Sequence, residues 1–518
     1  MRPGPRRRTE LRFLVLWLLL AAASSLWALA TPMMGAPDEP SHVIKAAAVV
    51  RGQLTGEGGT PPVDRSKPGT PTIVTVPKSY RVLDGVAACF AFKPNRAANC
   101  GPGFVADDEP ARVGTYAGRY PPLYYALVGW PSLALDGPSA VFGMRAASSG
   151  VCALFLAAGI AVVHRARGGR LVLLGAALAV TPMVLFMAGT INPSGLEISS
   201  AFALWAALLA LALDPDGGRI GSRLATATVA AAVLVNVRAS SPVWVVLAVL
   251  AALALMRWQT LREILRHPFA KWVPVAAVAS GGLALAWVLK AGGLAAPMGL
   301  YPEYDKTTVV TRDAFGRSQR YLREMVGVFG WLDTPAPLIT FLLWSAAIFT
   351  LLVLTVATVR SARHRAVLLL LVLLVVVLPV GLQLPGADDV GLIWQGRYLL
   401  PLAVGVPLLL GLLLARDPLG LVGPLRIERV VGPMLVVAHV AAFYFAGRRY
   451  AAGEMGPVIV TNARWDAPLG LWPLTAALLV VSVLALVVAA RWTEPAASSQ
   501  LGQTTEEPTR DRVDSSQA

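Results

Sequence analysis

Runs of about twenty apolar residues recur along almost the whole chain, separated mostly by short charged loops. A run of that length crosses the hydrocarbon core of a bilayer as a helix. Only helices and closed barrels satisfy their own backbone hydrogen bonds in lipid, so a chain of this kind folds as an all-α polytopic membrane bundle. Of the 518 residues, 56% are hydrophobic and 14% charged, whereas soluble domains carry about a quarter charged residues. The net charge of +15 does not point to nucleic acid. The basic residues sit in the short loops between spans, which is the pattern of cytoplasmic loops and not of a binding stripe.

The apolar runs fall at about 11–31, 139–163, 171–190, 194–213, 223–237, 240–256, 271–290, 336–358, 366–383, 397–415, 428–447 and 469–490, about twelve in all. The first follows a basic 1–10 segment and resembles a signal peptide. Its length and the poor cleavage site Thr31-Pro32-Met33-Met34 make it a first span instead. The clusters Arg165/Arg167/Arg170, Arg219/Arg223, Arg257/Arg262/Arg266/Lys271, Arg360/Arg363/Arg365 and Arg416/Arg426/Arg429 then share one side, provided 121–136 is a short interfacial or re-entrant helix. Its Tyr124, Tyr125 and Trp130 suit the headgroup layer. Both termini are expected in the cytoplasm. Residues 11–492 form one multi-pass domain, with larger outer segments at 32–138, 291–335 and 448–468, and a polar tail over 493–518 expected to be disordered. The runs at 223–237 and 240–256 are short enough to be one broken hairpin. No internal repeat is evident.

Cys89 and Cys100 share the first outer segment. They are a disulfide if that segment faces an oxidising compartment, and two free thiols otherwise.

The chemistry-bearing residues gather at the outer ends of the spans. Asp38 and Glu39 follow the first span, with His42 one turn on. Asp107, Asp108 and Glu109 end its loop, Glu197 stands just inside the fourth span after Asn192-Pro193-Ser194-Gly195, and Asp388 and Asp389 precede Gln395-Gly396-Arg397-Tyr398. Charges that close to lipid are costly and mark function or pairing. For Asp38 two readings stand: a general base with Glu39 orienting it, or an N-cap for the helix expected at about 39–51. Glu39 and His42, at i and i+3, also share a helix face that suits a divalent metal, magnesium or manganese by its carboxylate more than zinc. Arg397 is either a phosphate ligand or an interfacial anchor. Arg119-Tyr120-Pro121-Pro122 and Arg145 divide likewise between substrate contact and snorkelling. Asn192 is expected to cap the helix from about 194, with Glu197 pointing into the bundle.

Pro37-Asp38-Glu39-Pro40-Ser41-His42, followed by Ala46 and Gly52, resembles the signature of the domain-of-unknown-function family 2142 of bacterial membrane proteins. Pro121-Pro122-Leu123-Tyr124-Tyr125, Asn192-Pro193-Ser194-Gly195 and Gln395-Gly396-Arg397-Tyr398-Leu399-Leu400-Pro401 are similar to its later blocks. That family is grouped with the GT-C glycosyltransferases, multi-helix enzymes that use polyprenyl-phosphate sugars and place an acidic residue in the first outer loop. The resemblance implies a sugar transferase of the bacterial plasma membrane, with a polyprenyl-phosphate sugar as donor and a cell-envelope glycan, lipid or protein as acceptor. Asp38 is then the base, Glu39 its partner, and Arg397 a donor-phosphate ligand, with Arg119 or Arg145 assisting. His42, Tyr120, Asn192, Glu197, Gln395 and Tyr398 complete the expected substrate site. The rivals are a transporter or flippase for lipid-linked sugars, for which no inverted repeat is visible, and a non-catalytic scaffold of envelope assembly.

Overall fold

A computed structural model describes residues 5–59, 71–164, 166, 169–291, 301–416 and 422–492. The expected tail from 493, residues 1–4 and Arg165 and Arg167 lie outside these. The first helices are α1 (Pro5–Ala30), α2 (Glu39–Val49), α3 (Leu83–Ala88), α4 (Leu123–Gly129) and α5 (Gly137–Val163). They continue with α6 (Gly169–Ala179), α7 (Pro182–Ala188), α8 (Pro193–Leu213), α9 (Ile220–Leu234) and α10 (Ser241–Leu255). Among the described residues, eight helices are long and apolar enough to cross a membrane alone, and ten if each of two bent pairs counts as one span. The other two expected runs are the shorter apolar helices Ile220–Leu234 and Leu400–Leu414. The chain is an all-helical, multi-pass membrane protein.

Burial separates the roles of the spans. Over α8, 94% of the apolar window is buried, whereas over Pro268–Lys290 the figure is 11%. A helix that is apolar all round and buried all round is the axis of its bundle, and one bare on most sides faces lipid. Accordingly α8 packs against α5, α9 and α10, while α1 packs against α5 and the helix Leu471–Trp492. Pro193 opens α8, where its missing N–H costs nothing, and it could not have continued a helix from α7. Asn192 caps α8 there, its side chain accepting from the Ser194 N–H at 3.0 Å, as the sequence predicts.

The segment between α1 and α5 forms a lobe whose core it shares with residues of the bundle, among them Val141 and Met144 of α5 and Leu196 of α8. Besides the helices expected at about 39–51 and within 121–136, the lobe holds a three-stranded antiparallel sheet that the sequence does not announce: β1 (Glu57–Gly58), β2 (Thr72–Pro77) and β3 (Pro110–Thr115). Thr72 pairs with Thr115 and Pro77 with Pro110. Alternate residues of the two longer strands, Val74, Val76, Ala111 and Val113, are buried and share a core with Val43 and Ala47 of α2. Lys45 of α2 is fully buried beneath the lobe and donates to the carbonyls of Leu54 and Gly118. The helix expected within 121–136 is the short α4. Tyr124 and Tyr125 are wholly buried rather than in a headgroup layer, because their hydroxyls are used inside: Tyr124 contacts Ser148 and Thr190, and Tyr125 contacts His42. Trp130 alone of the three aromatics is exposed. Cys89 and Cys100 form a disulfide that closes part of the lobe.

Candidate active site

Asp38 stands at the N-terminal boundary of α2 with φ 60°, a left-handed conformation uncommon for a residue with a side chain. Its carboxylate makes no hydrogen bond to that helix, so the capping role is not taken up. It receives Nη2 of Arg397 at 2.8 Å across 359 residues of sequence instead. The two partners differ in access: the Asp38 side chain is 54% exposed and that of Arg397 2%. Arg397 also donates from Nη2 to the Tyr398 hydroxyl at 3.1 Å, while its Nε and Nη1 are buried and find no partner among the described residues. A buried, charged donor with unmet hydrogen bonds is costly, and it marks a place where an anion fits.

The Arg397 turn is fixed from two sides. Its first residue has no Cβ, and one there would collide with the Tyr321 carbonyl. That closeness lets the Gly396 N–H donate to Glu324 at 2.6 Å. The following Pro401 carbonyl accepts from Trp205 of α8 at 2.9 Å.

A second arginine, which sequence reading missed, completes the cluster. Arg238 leaves the turn between α9 and α10 and lies 4.4 Å from the centre of the Tyr398 ring. Its Nη1 reaches Ser194 at 3.2 Å and Glu197 at 3.4 Å, and its Nη2 reaches Tyr120 at 3.5 Å. Glu197 is itself held by Ser241 at 2.7 Å and Trp244 at 3.1 Å. The deep carboxylate is therefore paired, and its partner is the cation beside Tyr398. One signal was available in the sequence: Arg238 is a charge set in a short turn between two apolar runs, where a charge so near lipid marks function or pairing.

Desolvation raises the Asp38 pKa, but the positive charges beside it, Arg397 foremost, outweigh this and leave it below the usual carboxylate value. The carboxylate is therefore ionised at neutral pH. His42 is pushed down to about 3, chiefly by burial; Asp38 opposes this and Arg397 and Arg238 add to it. Its imidazole is neutral, with Nδ1 2.9 Å from the Tyr125 hydroxyl and the ring edge-on to Tyr120.

Glu39 faces away from its neighbour. It forms a two-pronged pair with Arg145, Nε to Oε1 at 2.8 Å and Nη2 to Oε2 at 2.6 Å, and both side chains are 0% exposed. Arg145 gives its remaining donors to the carbonyls of Ala28, Thr31 and Pro32 at the end of α1. It is neither at the lipid surface nor free for a phosphate. The Ile191 N–H also donates to Glu39, at 3.1 Å, and Asn192 Nδ2 donates to the Pro37 carbonyl at 3.0 Å. These contacts clamp the residues on both sides of Asp38.

Asp38, His42, Tyr120, Glu197, Arg397 and Tyr398 thus come together around Arg238, with Asn192 behind them. Gln395 precedes the Arg397 turn, and its buried Oε1 has no partner among the described residues. Arg119 is exposed, and its carbonyl accepts from Trp287. The metal reading of Glu39 and His42 fails on geometry, because one turns to Arg145 and the other to Tyr125. Among the described residues no three His, Cys, Asp or Glu side chains gather as a metal site.

A family model described as predicted membrane protein (DUF2142) matches residues 21–406. No curated protein matches the chain. Among solved structures, that of ArnT from Cupriavidus metallidurans bound to undecaprenyl phosphate is similar at 13% identity, covering 92% of this chain and 76% of that one with a TM-score of 0.41.

Proposed function

We propose that this chain, which belongs to the DUF2142 family of predicted membrane proteins, is a glycosyltransferase that moves a sugar from a polyprenyl-phosphate carrier to a cell-envelope acceptor at the outer face of a bacterial plasma membrane. The observation that carries the reading is the Asp38–Arg397 pair: an accessible, ionised carboxylate against a buried guanidinium with unmet donors. Asp38 accepts the proton of an acceptor hydroxyl as its oxygen attacks the anomeric carbon. The bond from that carbon to the phosphate oxygen breaks, and the lipid phosphate leaves with the negative charge. Arg397, through Nε and Nη1, and Arg238 beside it stabilise that charge. A single displacement inverts the anomeric centre. Glu39 and Arg145 hold Asp38 in place and touch no substrate.

The outer orientation is supported by the arginine-rich loops on the opposite side and by the disulfide in the first-loop lobe. Labelling of a cysteine placed at position 388 from the outside of intact cells tests it, and labelling only after permeabilisation overturns it. For the reaction, Asp38→Asn is expected to abolish sugar transfer while membrane insertion and polyprenyl-phosphate binding persist. An unchanged envelope glycan in cells carrying only Asp38→Asn rules the transferase out and leaves the same cations to a transporter of lipid-linked sugars.

A further inference from the structure

The disulfide-closed part of the first-loop lobe carries a second set of groups that the transfer chemistry does not use. A cavity of about 640 Å³ opens there, lined by Lys93, Asn95, Arg96, Asn99, Cys100 and, from the segment before the last helix, Arg464. This volume lies within the range of about 300–1,000 Å³ usual for ligand sites. Three of the side chains are cationic, the others named are amide or sulfur groups, and no carboxylate is among its lining residues. Lys93 is partly engaged by the Ala88 carbonyl at 2.8 Å, whereas Arg96 and Arg464 are exposed.

Phe92 immediately precedes Lys93, one of the residues that line this cavity. It is 70% exposed and holds a left-handed φ of 58°, a strained setting that the surroundings must enforce. Asp333 does so, accepting from the Phe92 N–H at 2.8 Å while paired with the buried Arg449. Arg449 in turn donates to the carbonyls of Phe90, Lys93 and Arg96. The exposed phenyl ring lies 5.9 Å from the Trp331 ring. Both sides of this assembly are tied to the loop before the candidate base. Trp331 donates to the Met34 carbonyl at 3.0 Å, and Tyr450, next to Arg449, donates to the Gly35 carbonyl at 3.4 Å.

The exposed Phe92 ring beside the half-buried Trp331, next to amides and cations with no carboxylate among the cavity's lining residues, suits a carbohydrate that carries negative charge. Aromatic faces stack on the apolar face of a sugar ring, amides meet its hydroxyls, and cations draw in its acidic groups. We propose that this face binds the acceptor, and that the acceptor is an anionic glycan, bearing uronic or phosphate groups, which runs from Arg464 and Arg96 past Phe92 and Trp331 toward Asp38. The proposal rests on the glycosyl-transfer reading and supplies its substrate class.

The test uses the full chain in lipid nanodiscs with three oligosaccharides of equal length: oligogalacturonate, a phosphorylated mannan fragment and neutral maltohexaose. At least one acidic probe is expected to bind about tenfold more tightly than maltohexaose, and added salt is expected to erase the difference. Which acidic probe binds separates carboxylate from phosphate recognition. The double variant Arg96→Glu/Arg464→Glu is expected to lose the preference with polyprenyl-phosphate binding unchanged, and Phe92→Ala to weaken all three probes alike. Equal binding of acidic and neutral probes, or a preference that survives the double variant, overturns the proposal. Asp38→Asn separates the two readings, because it leaves oligosaccharide binding intact. If it also leaves transfer intact, the catalytic reading fails and the glycan face stands.

Discussion

Asp38 and Glu39 are neighbours in sequence, and each meets an arginine from far along the chain, yet the two pairs are opposites. Arg145 uses every donor it has, on Glu39 and on three carbonyls at the end of α1, in a site closed to solvent. Arg397 leaves Nε and Nη1 unmet, and its carboxylate partner is half open. A saturated buried pair holds structure, and breaking it strands a charge. An unsaturated pair with one accessible member is a site awaiting a ligand. The left-handed turn at residue 38 is what sends two adjacent carboxylates to such different surroundings.

The same chemical change made one residue apart should therefore give opposite readouts. Asp38→Asn is expected to lower transfer by about 10²–10⁴-fold with little effect on stability, since asparagine tolerates a positive φ. Glu39→Gln is expected to cost about 3–5 kcal/mol of stability, seen as loss of folded protein in a thermal melt before any activity is measured. A stable Glu39→Gln protein inactive only in transfer would erase the distinction. Arg397→Lys keeps the charge but not the planar fork. We expect roughly a ten- to hundredfold fall in kcat/KM with donor, and equal activity would show that charge alone suffices.

Smaller effects sharpen the contrast. Asn192→Ala removes the α8 cap and the hold on Pro37, at about 1 kcal/mol in a melt. Asp38 has a lowered pKa, so the base is ionised above it and transfer is lost only as pH falls through it. His42, at about 3, is likewise in a single state, the neutral one, near neutral pH. The kcat/KM profile should thus show no acid inflection between about pH 5 and 8, and one near 6.5 would mean that His42 titrates.

The spans were legible because hydropathy over about twenty residues is a local property. Arg397 and Asp38 were legible as chemistry because acidic and basic residues at span ends stand out against an apolar background. Which of Asp38 and Glu39 would be sealed was not, since that depends on Arg145, 106 residues away, and on a backbone angle that sequence does not encode for a non-glycine residue. Arg238 was overlooked for a related reason: its meaning comes from Tyr398 and Glu197, which no spacing links to it. Strand β2 was hidden at the end of residues 52–78, which are rich in Gly, Pro and Thr, although Thr72–Pro77 does alternate buried with less buried positions.

The distance in sequence between Asp38 and Arg397 also sets an order of assembly. As the chain is synthesised, the carboxylate emerges at the end of the first span, and the Glu39–Arg145 clamp closes around it with the second long helix. The guanidinium follows only after most of the remaining spans have been inserted. A nascent or truncated protein ending before residue 397 would thus carry a positioned carboxylate without its guanidinium partner, so the Asp38–Arg397 pair forms near the end of biogenesis, when the bundle around it is almost complete.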